Sequence, residues 1–347
     1  MTRKSVVAKR CHEVLCVLPL LLAAAAAPAA DLARYEATEP HMGTLFKVLF
    51  YADDPEVASQ AARAALERIG ELDRCLSDYN PASELSQLGR GAPHAHPVPV
   101  SDDLWHILAR AQDVSRLSGG AFDVTIGPLT KLWRRGRRQH QWPDAERLAQ
   151  ARAAVGYQHL KLDASRRTAQ LTRGAMRLDA GGIAKGYAAD EALRVLRRFG
   201  VQRALVDAGG GMALGAPPPG QAGWKVGVAT LSADAPPERF LRLSCCGIAT
   251  SGDAWQFVEL QGQRYSHIID PRSGQPVTVR SSVTVVARDG TTADALATAL
   301  SVLGPHRGMD LIEQLCGAEA RLVWLADDDA EHQRESRGFV RLPSTAN

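Results

Sequence analysis

Leu178-Asp179-Ala180-Gly181-Gly182-Ile183-Ala184-Lys185-Gly186 is the stretch that decides how this chain folds. Residues 176–178 read as a short strand, the glycine pair as a turn, and residues 184–199 as a helix whose apolar positions recur at helical spacing. A strand that turns into a helix through glycines leaves free backbone N–H groups at the helix start. With Lys185 beside them, they stand where an anionic phosphate could sit. A plain helix start with a solvated lysine accounts for the same spacing equally well.

Upstream of this stretch the pattern is mainly helical. Residues 44–51 read as a strand, and Asp54-Pro55 opens a helix that runs to about Cys75. A polar turn from Ser77 to Ser83 precedes a short helix. Ser101-Asp102-Asp103 caps another helix, ending at Ser118-Gly119-Gly120, and residues 143–155 look helical. After Gly156 short strands dominate, at 160–162, 168–171, 204–207, 224–228, 240–243, 255–260, 264–269, 282–287 and 320–325. Helices interrupt them at 292–302 and onward to Cys316. Runs of strands with helices grouped between them predict an α+β fold of mixed sheets.

The composition excludes several classes. With 347 residues, 45% hydrophobic and 23% charged, the chain can bury a large core. Aromatic residues at 5% are too few for a single-strand nucleic-acid stacking platform. The net charge of +3 is concentrated at the front: Arg3, Lys4, Lys9 and Arg10 precede an apolar run from Val14 to Ala27, and Ala27-Pro28-Ala29 has the small-x-small pattern of a secretory cleavage site. The run is shorter than the roughly 20 residues that a spanning helix needs. Residues 1–29 are therefore expected to be a cleaved signal peptide, leaving residues 30–347 as the mature chain. Removing residues 1–29 leaves 37 basic and 37 acidic residues, which argues against nucleic acid as a partner. The basic run Arg134-Arg135-Gly136-Arg137-Arg138 then reads as a solvated loop. Neither Cys11 nor Cys16 has a leucine three residues before it, so a lipoprotein anchor is not expected. Cys75, Cys245, Cys246 and Cys316 read as packing residues.

Three further glycine stretches let backbone approach a ligand: His41-Met42-Gly43-Thr44, Asp207-Ala208-Gly209-Gly210-Gly211 and Thr250-Ser251-Gly252-Asp253. No helix follows Gly211, which argues against a dinucleotide fingerprint. Asp294 and Thr298 lie four apart on a helix, so two hard oxygen donors share one face. That arrangement suits magnesium, while a first-turn acid beside a back-bonded threonine suits it too. His267 sits where a strand reaches the Asp270-Pro271 turn and reads as a structural histidine. Tyr79, outside any apolar period, is a surface tyrosine or a lid over a flat ring.

Taken in order, these segments resemble the ApbE-type FAD:protein FMN transferases. The matching motifs run from Met42-Gly43-Thr44 through Ser83-Glu84-Leu85, residues 122–129, 178–186 and 207–211, Ala249 to Asp253 and His267 to Pro276, as far as the Asp294 helix. The resemblance covers nearly all of the mature chain. It implies an ApbE-like fold with FAD bound in a cleft, and a periplasmic, magnesium-dependent enzyme. That enzyme would transfer FMN from FAD to a threonine of an acceptor protein and release AMP. It further implies that Met42, Tyr79, Asp123, Lys185, Asp190, Asp207, Thr250 and His267 contact or frame the FAD, with Tyr79 against the flavin ring. Asp294, Thr298 and the main-chain oxygen of Ala184 would hold the magnesium, and His267 would act as the base. The acceptor would carry a Ser/Thr-Gly-Ala-Thr type stretch and belong to membrane-associated redox subunits. Two positions depart from the pattern: Ala254 stands before Trp255 where an aromatic residue is usual, and Gly89 stands where asparagine is common. An FAD pyrophosphatase and a non-catalytic flavin-binding protein are the alternative readings.

Overall fold

Thr44–Ala52 reads TLFKVLFYA, and its alternate residues Phe46, Val48, Phe50 and Ala52 are buried, as the two-residue period of a strand requires. Full burial of each phenylalanine contributes roughly 1.5–3 kcal/mol. The computed structural model describes residues 32–346, apart from 233–234, 254–256, 261, 327 and 329. The expected leader at 1–29 and the Ala254-Trp255 departure both lie outside the described residues.

Among the described residues eight strands form the main sheet: β1 (Ala33–His41), β2 (Thr44–Ala52), β3 (Ala204–Asp207), β4 (Gly211–Leu214), β5 (Cys246–Gly252), β6 (Ser281–Ala287), β7 (Ala318–Leu325) and β8 (Glu331–Glu335). Their order across the sheet is their order along the chain. Every neighbouring pair is antiparallel. The helices are carried in the connections. Between β2 and β3 come α1 (Pro55–Leu76), α2 (Glu84–Arg90), α3 (Asp102–Leu117), α4 (Gly127–Gln139), α5 (Ala145–Ala153) and α6 (Ala184–Arg198). Between β6 and β7 comes α7 (Gly290–Ile312), broken at Gly304, φ 73°, before Pro305, which accounts for the two helices expected there.

Both faces of the main sheet are covered. Ile69 and Leu72 of α1, Leu193 of α6 and Leu296 of α7 share one core with Phe46, Phe50, Val283 and Val285. On the opposite face Leu214, Ile248 and Val286 pack under a small antiparallel sheet of Trp224–Gly227, Arg239–Leu243 and Ser344–Ala346. The adjacent residues Ile248 and Ala249 therefore enter different cores. The α+β class is as expected.

Several local expectations are corrected. Strands β1, β4 and β8 were not expected. Of the outermost two, β8 is polar on both faces and β1 offers only Tyr35 and Ala37 half-buried toward the core, while β4 is a four-residue strand hidden behind the glycine turn. Residues 176–178 make only an isolated parallel bridge, Arg177 to Ile126. The strand expected at 264–269 ends at Ser266. The basic run lies on α4 rather than in a loop. Cys245 and Cys316 are exposed and do not pack, whereas Cys75 and Cys246 lie against the two cores. All four are free thiols, and burial pushes Cys75 up to about 12 and Cys246 up to about 11.

Candidate active site

Two turns and strand β5 meet at one end of the main sheet. The β1–β2 hairpin turns through Met42 and Gly43, with φ of 50° and 74°, the positive pair that a two-residue hairpin favours. Asp73 of α1 accepts from the Met42 backbone N–H at 3.0 Å and anchors this turn. The β3–β4 turn lies alongside, so close that a Cβ on Gly209 would stand 2.0 Å from the Thr44 hydroxyl. Asp207 accepts from Gly209 N–H at 2.8 Å, and burial raises its carboxyl above the ordinary range. Thr250 donates its N–H to Gly210 O at 2.7 Å, and its hydroxyl lies 3.0 Å from that of Thr284. Met42, Asp207 and Thr250 are thus brought together from three separate stretches of sequence.

A second grouping forms where α6 starts against α7. A Cβ on Gly186 would lie 2.1 Å from Gly290 O, and one on Gly182 would lie 2.9 Å from Thr298 Oγ1, so only glycine admits this approach. Asp294, 9% exposed, accepts from Gly186 N–H at 3.1 Å. Ala184 lies between these two glycines, so its carbonyl, the Asp294 carboxylate and the Thr298 hydroxyl belong to one locality. Among the described residues no group of three or more His, Cys, Asp or Glu could hold a metal. A cation here would draw on one carboxylate with neutral oxygens. The donor set is hard and sparse, which fits magnesium, an ion that retains much of its water. Lys185 reaches back to donate to Gly181 O at 3.1 Å.

Asp123 and Asp190 hold the frame. Asp190 accepts from Gly290 N–H and Thr291 N–H, each at 2.8 Å, and from the Thr291 hydroxyl at 2.6 Å, tying α6 to the start of α7. Asp123 accepts from the Thr125 N–H and hydroxyl at 2.8 and 2.7 Å and from Tyr157 N–H at 2.8 Å. Burial raises both carboxyls, and these hydrogen bonds oppose the rise. Gly89 closes α2 against Arg177, which donates to its carbonyl at 2.9 Å.

Tyr79 is 70% exposed. Arg134 lies over its ring, the guanidinium carbon 4.4 Å from the centroid, and pairs with both Asp78 and Asp179. Asp179 also accepts from Gly181 N–H at 2.8 Å, which shapes the turn ahead of α6. Burial, helped by the charge of Asp179, pushes Asp78 up to about 6. Sequence reasoning singled out none of Asp78, Arg134 and Asp179 as site residues. Asp78 and Asp179 lay inside stretches singled out for other residues, and Arg134 inside the basic run, whose residues differ in burial for reasons that only the helix phase on α4 supplies. His267 is exposed just beyond the strand Gln263–Ser266, in a segment fixed by Ser266 N–H to Val277 O at 2.9 Å and Val277 N–H to Ile268 O at 2.8 Å.

Comparison with known proteins places the family and the fold. The profile of the ApbE family matches residues 42–322. The FAD:protein FMN transferase of Haemophilus influenzae is 32% identical over 315 residues, covering 88% of this chain and 90% of its own. That of Treponema pallidum is 34% identical over 310 residues, 84% of each chain. Among solved structures, the flavin transferase ApbE from Vibrio cholerae superposes with a TM-score of 0.81 at 29% identity, over 90% of this chain and 99% of that one. The apo form of the Pseudomonas stutzeri flavinyl transferase ApbE gives 0.79 at 31% identity, over 90% and 97%. On the match over residues 42–322 and on these relatives, the chain belongs to the ApbE family.

Proposed function

We propose that this chain is an FAD:protein FMN transferase that moves FMN from FAD to a threonine hydroxyl of an acceptor protein and releases AMP. The relatives and their structures support flavin transfer as the activity. The observation within this chain that carries the finer reading is the meeting of α6 and α7. Two glycines bring the helix start and Lys185 against Asp294 and Thr298, with the Ala184 and Gly186 N–H groups not free as the sequence suggests but donated to Ala180 O and Asp294. Such a helix start suits a pyrophosphate.

The reaction balances as an in-line substitution. The threonine oxygen bonds to the flavin-side phosphorus, and the bond from that phosphorus to the bridging oxygen breaks. The bridging oxygen leaves with AMP. The protein mainly positions groups and neutralises charge. Asp294, Thr298 and the Ala184 carbonyl would hold magnesium, which when bound supplies Lewis-acid neutralisation of the pyrophosphate. Lys185 and the positive end of the α6 dipole orient the phosphates, and Tyr79 stacks on the flavin. His267 takes the proton from the attacking hydroxyl.

Residues 1–29 direct export and are removed, placing the enzyme in the periplasm. The acceptor is a membrane-associated redox subunit with a Ser/Thr-Gly-Ala-Thr type stretch. The test is to incubate the mature protein with FAD and magnesium, with and without such an acceptor. AMP release and acceptor mass are then followed together. One FMN gained per AMP is expected. AMP with free FMN and an unmodified acceptor would favour the pyrophosphatase, and intact FAD throughout would favour a binding protein. Unchanged turnover by Asp294→Ala would sink the magnesium assignment.

A further inference from the structure

We propose that Arg134 is a positioning residue for flavin binding. Its guanidinium locks the Tyr79 ring and the Asp179 turn into one arrangement, so that the stacking surface and the anion-binding helix start act as a single site. The inference rests on the reading of this chain as an FAD-dependent transferase.

Three contacts converge on one side chain. Arg134 Nη2 donates to Asp179 Oδ2 at 2.9 Å, Nη1 pairs with Asp78, and the guanidinium carbon lies 4.4 Å from the Tyr79 ring centroid. The two carboxylates come from segments far apart in sequence, one beside Tyr79 and the other at the mouth of the glycine turn. The ion pairs are withdrawn from solvent: the side chains of Arg134, Asp78 and Asp179 are 25%, 16% and 6% exposed. They are therefore screened less than surface pairs. Tyr79 itself is 70% exposed, so its neighbours would otherwise leave the ring free to swing. A planar guanidinium can bridge two carboxylates along its edge and stack on a ring with its face, which an ammonium cannot do. From Asp179 the connection continues through Gly181 N–H at 2.8 Å, and Gly181 O accepts from Lys185 at 3.1 Å. An ordered path thus runs from the flavin-stacking ring to the phosphate-binding lysine. Fixing both ends before the ligand arrives lowers the ordering cost of binding.

The test combines Arg134→Gln, Arg134→Lys, Tyr79→Ala and the Tyr79→Ala/Arg134→Gln double variant. FAD affinity would be measured by equilibrium dialysis, steady-state kinetics would be determined for each, and a thermal melt would confirm folding. Arg134→Gln should raise the FAD Kd and KM roughly tenfold. At saturating FAD its kcat should fall by less than about threefold. In the double variant, Arg134→Gln should add less than about twofold to the effect of Tyr79→Ala. Arg134→Lys keeps the charge for folding and should recover only a minor part of the loss. Additive effects, an unchanged Kd, or full recovery by lysine would each overturn the proposal. Hydrogen exchange without ligand separates this from the functional reading. In Arg134→Gln, amides in both 77–83 and 179–183 should exchange faster, and no change in either segment overturns the clamp whatever FAD does. Loosening of both segments in a protein whose wild type does not bind FAD would instead remove the flavin-transfer reading and leave the clamp.

Discussion

Tyr79 places an aromatic ring in solvent, 70% exposed, at a cost that a folded core would not incur. Tyr79→Ala should therefore leave the melting temperature within about 2 °C and weaken FAD binding roughly tenfold, as loss of a stacking partner does. Calorimetry and dialysis on one preparation check both parts. Asp78 gives a pH prediction whose sign follows from its raised carboxyl. Folded, it holds its proton up to about pH 6, against an ordinary value of 3.8, so the native state binds more protons than the unfolded chain between those limits. Its contribution to stability thus falls as pH rises from about 4 to about 6 and is flat above, by an amount on the order of 2 kcal/mol. Denaturant unfolding across that range should show the slope in the wild type and a shallower one in Asp78→Asn. Gly209, at φ 68° and 2.0 Å from the Thr44 hydroxyl for any Cβ, should not tolerate alanine. Strain and displacement of Thr44 should cost about 2–4 kcal/mol in the same assay. At this scale Asp294 and Thr298 were legible because their spacing on a helix already paired two oxygens. Asp78, Arg134 and Asp179 were not, since nothing local distinguishes an arginine that bridges from one that points into water.

At the scale of elements the start of α7 depends on Asp190, which accepts three hydrogen bonds from Gly290 and Thr291. Asp190→Ala leaves those buried donors without their acceptor and should destabilise by about 3 kcal/mol. Because the same contact sets α6 against α7, the affinity for the magnesium that the proposed function calls for should weaken as well. A shift of the magnesium half-saturation to higher concentration would show it. The helices were the most legible elements, for their caps are written locally: Asp54 accepts from Glu56 N–H at 2.7 Å, Ser83 from Ser86 N–H at 3.0 Å and Ser101 from Leu104 N–H at 3.2 Å. The outer strands were not legible, because β8 carries polar residues on both faces and the alternation in β1, with Tyr35 and Ala37 half-buried, breaks off at Glu39-Pro40. Polar composition protects an edge from pairing with another chain, and it also weakens the alternation by which a strand is recognised. Pro40, within β1, is tolerated there for the same edge reason.

At the scale of the whole molecule, what no sequence pattern contained was which strand neighbours which. The answer is the plainest arrangement available, eight antiparallel strands taken in chain order. Everything that supports the proposed chemistry hangs from the connections or turns of that sheet: Tyr79, Arg134 and the α6 start between β2 and β3, His267 between β5 and β6, Asp294 and Thr298 between β6 and β7. Since no strand crosses over another, a connection can lengthen or shorten without changing any pairing. The entropic cost of doing so grows only slowly, about 0.6 kcal/mol for each doubling of a flexible loop. The scaffold is therefore permissive of indels in its exposed connections and closed to them where glycines press helix against helix. Loop length can drift while the strand pairing stays where it is.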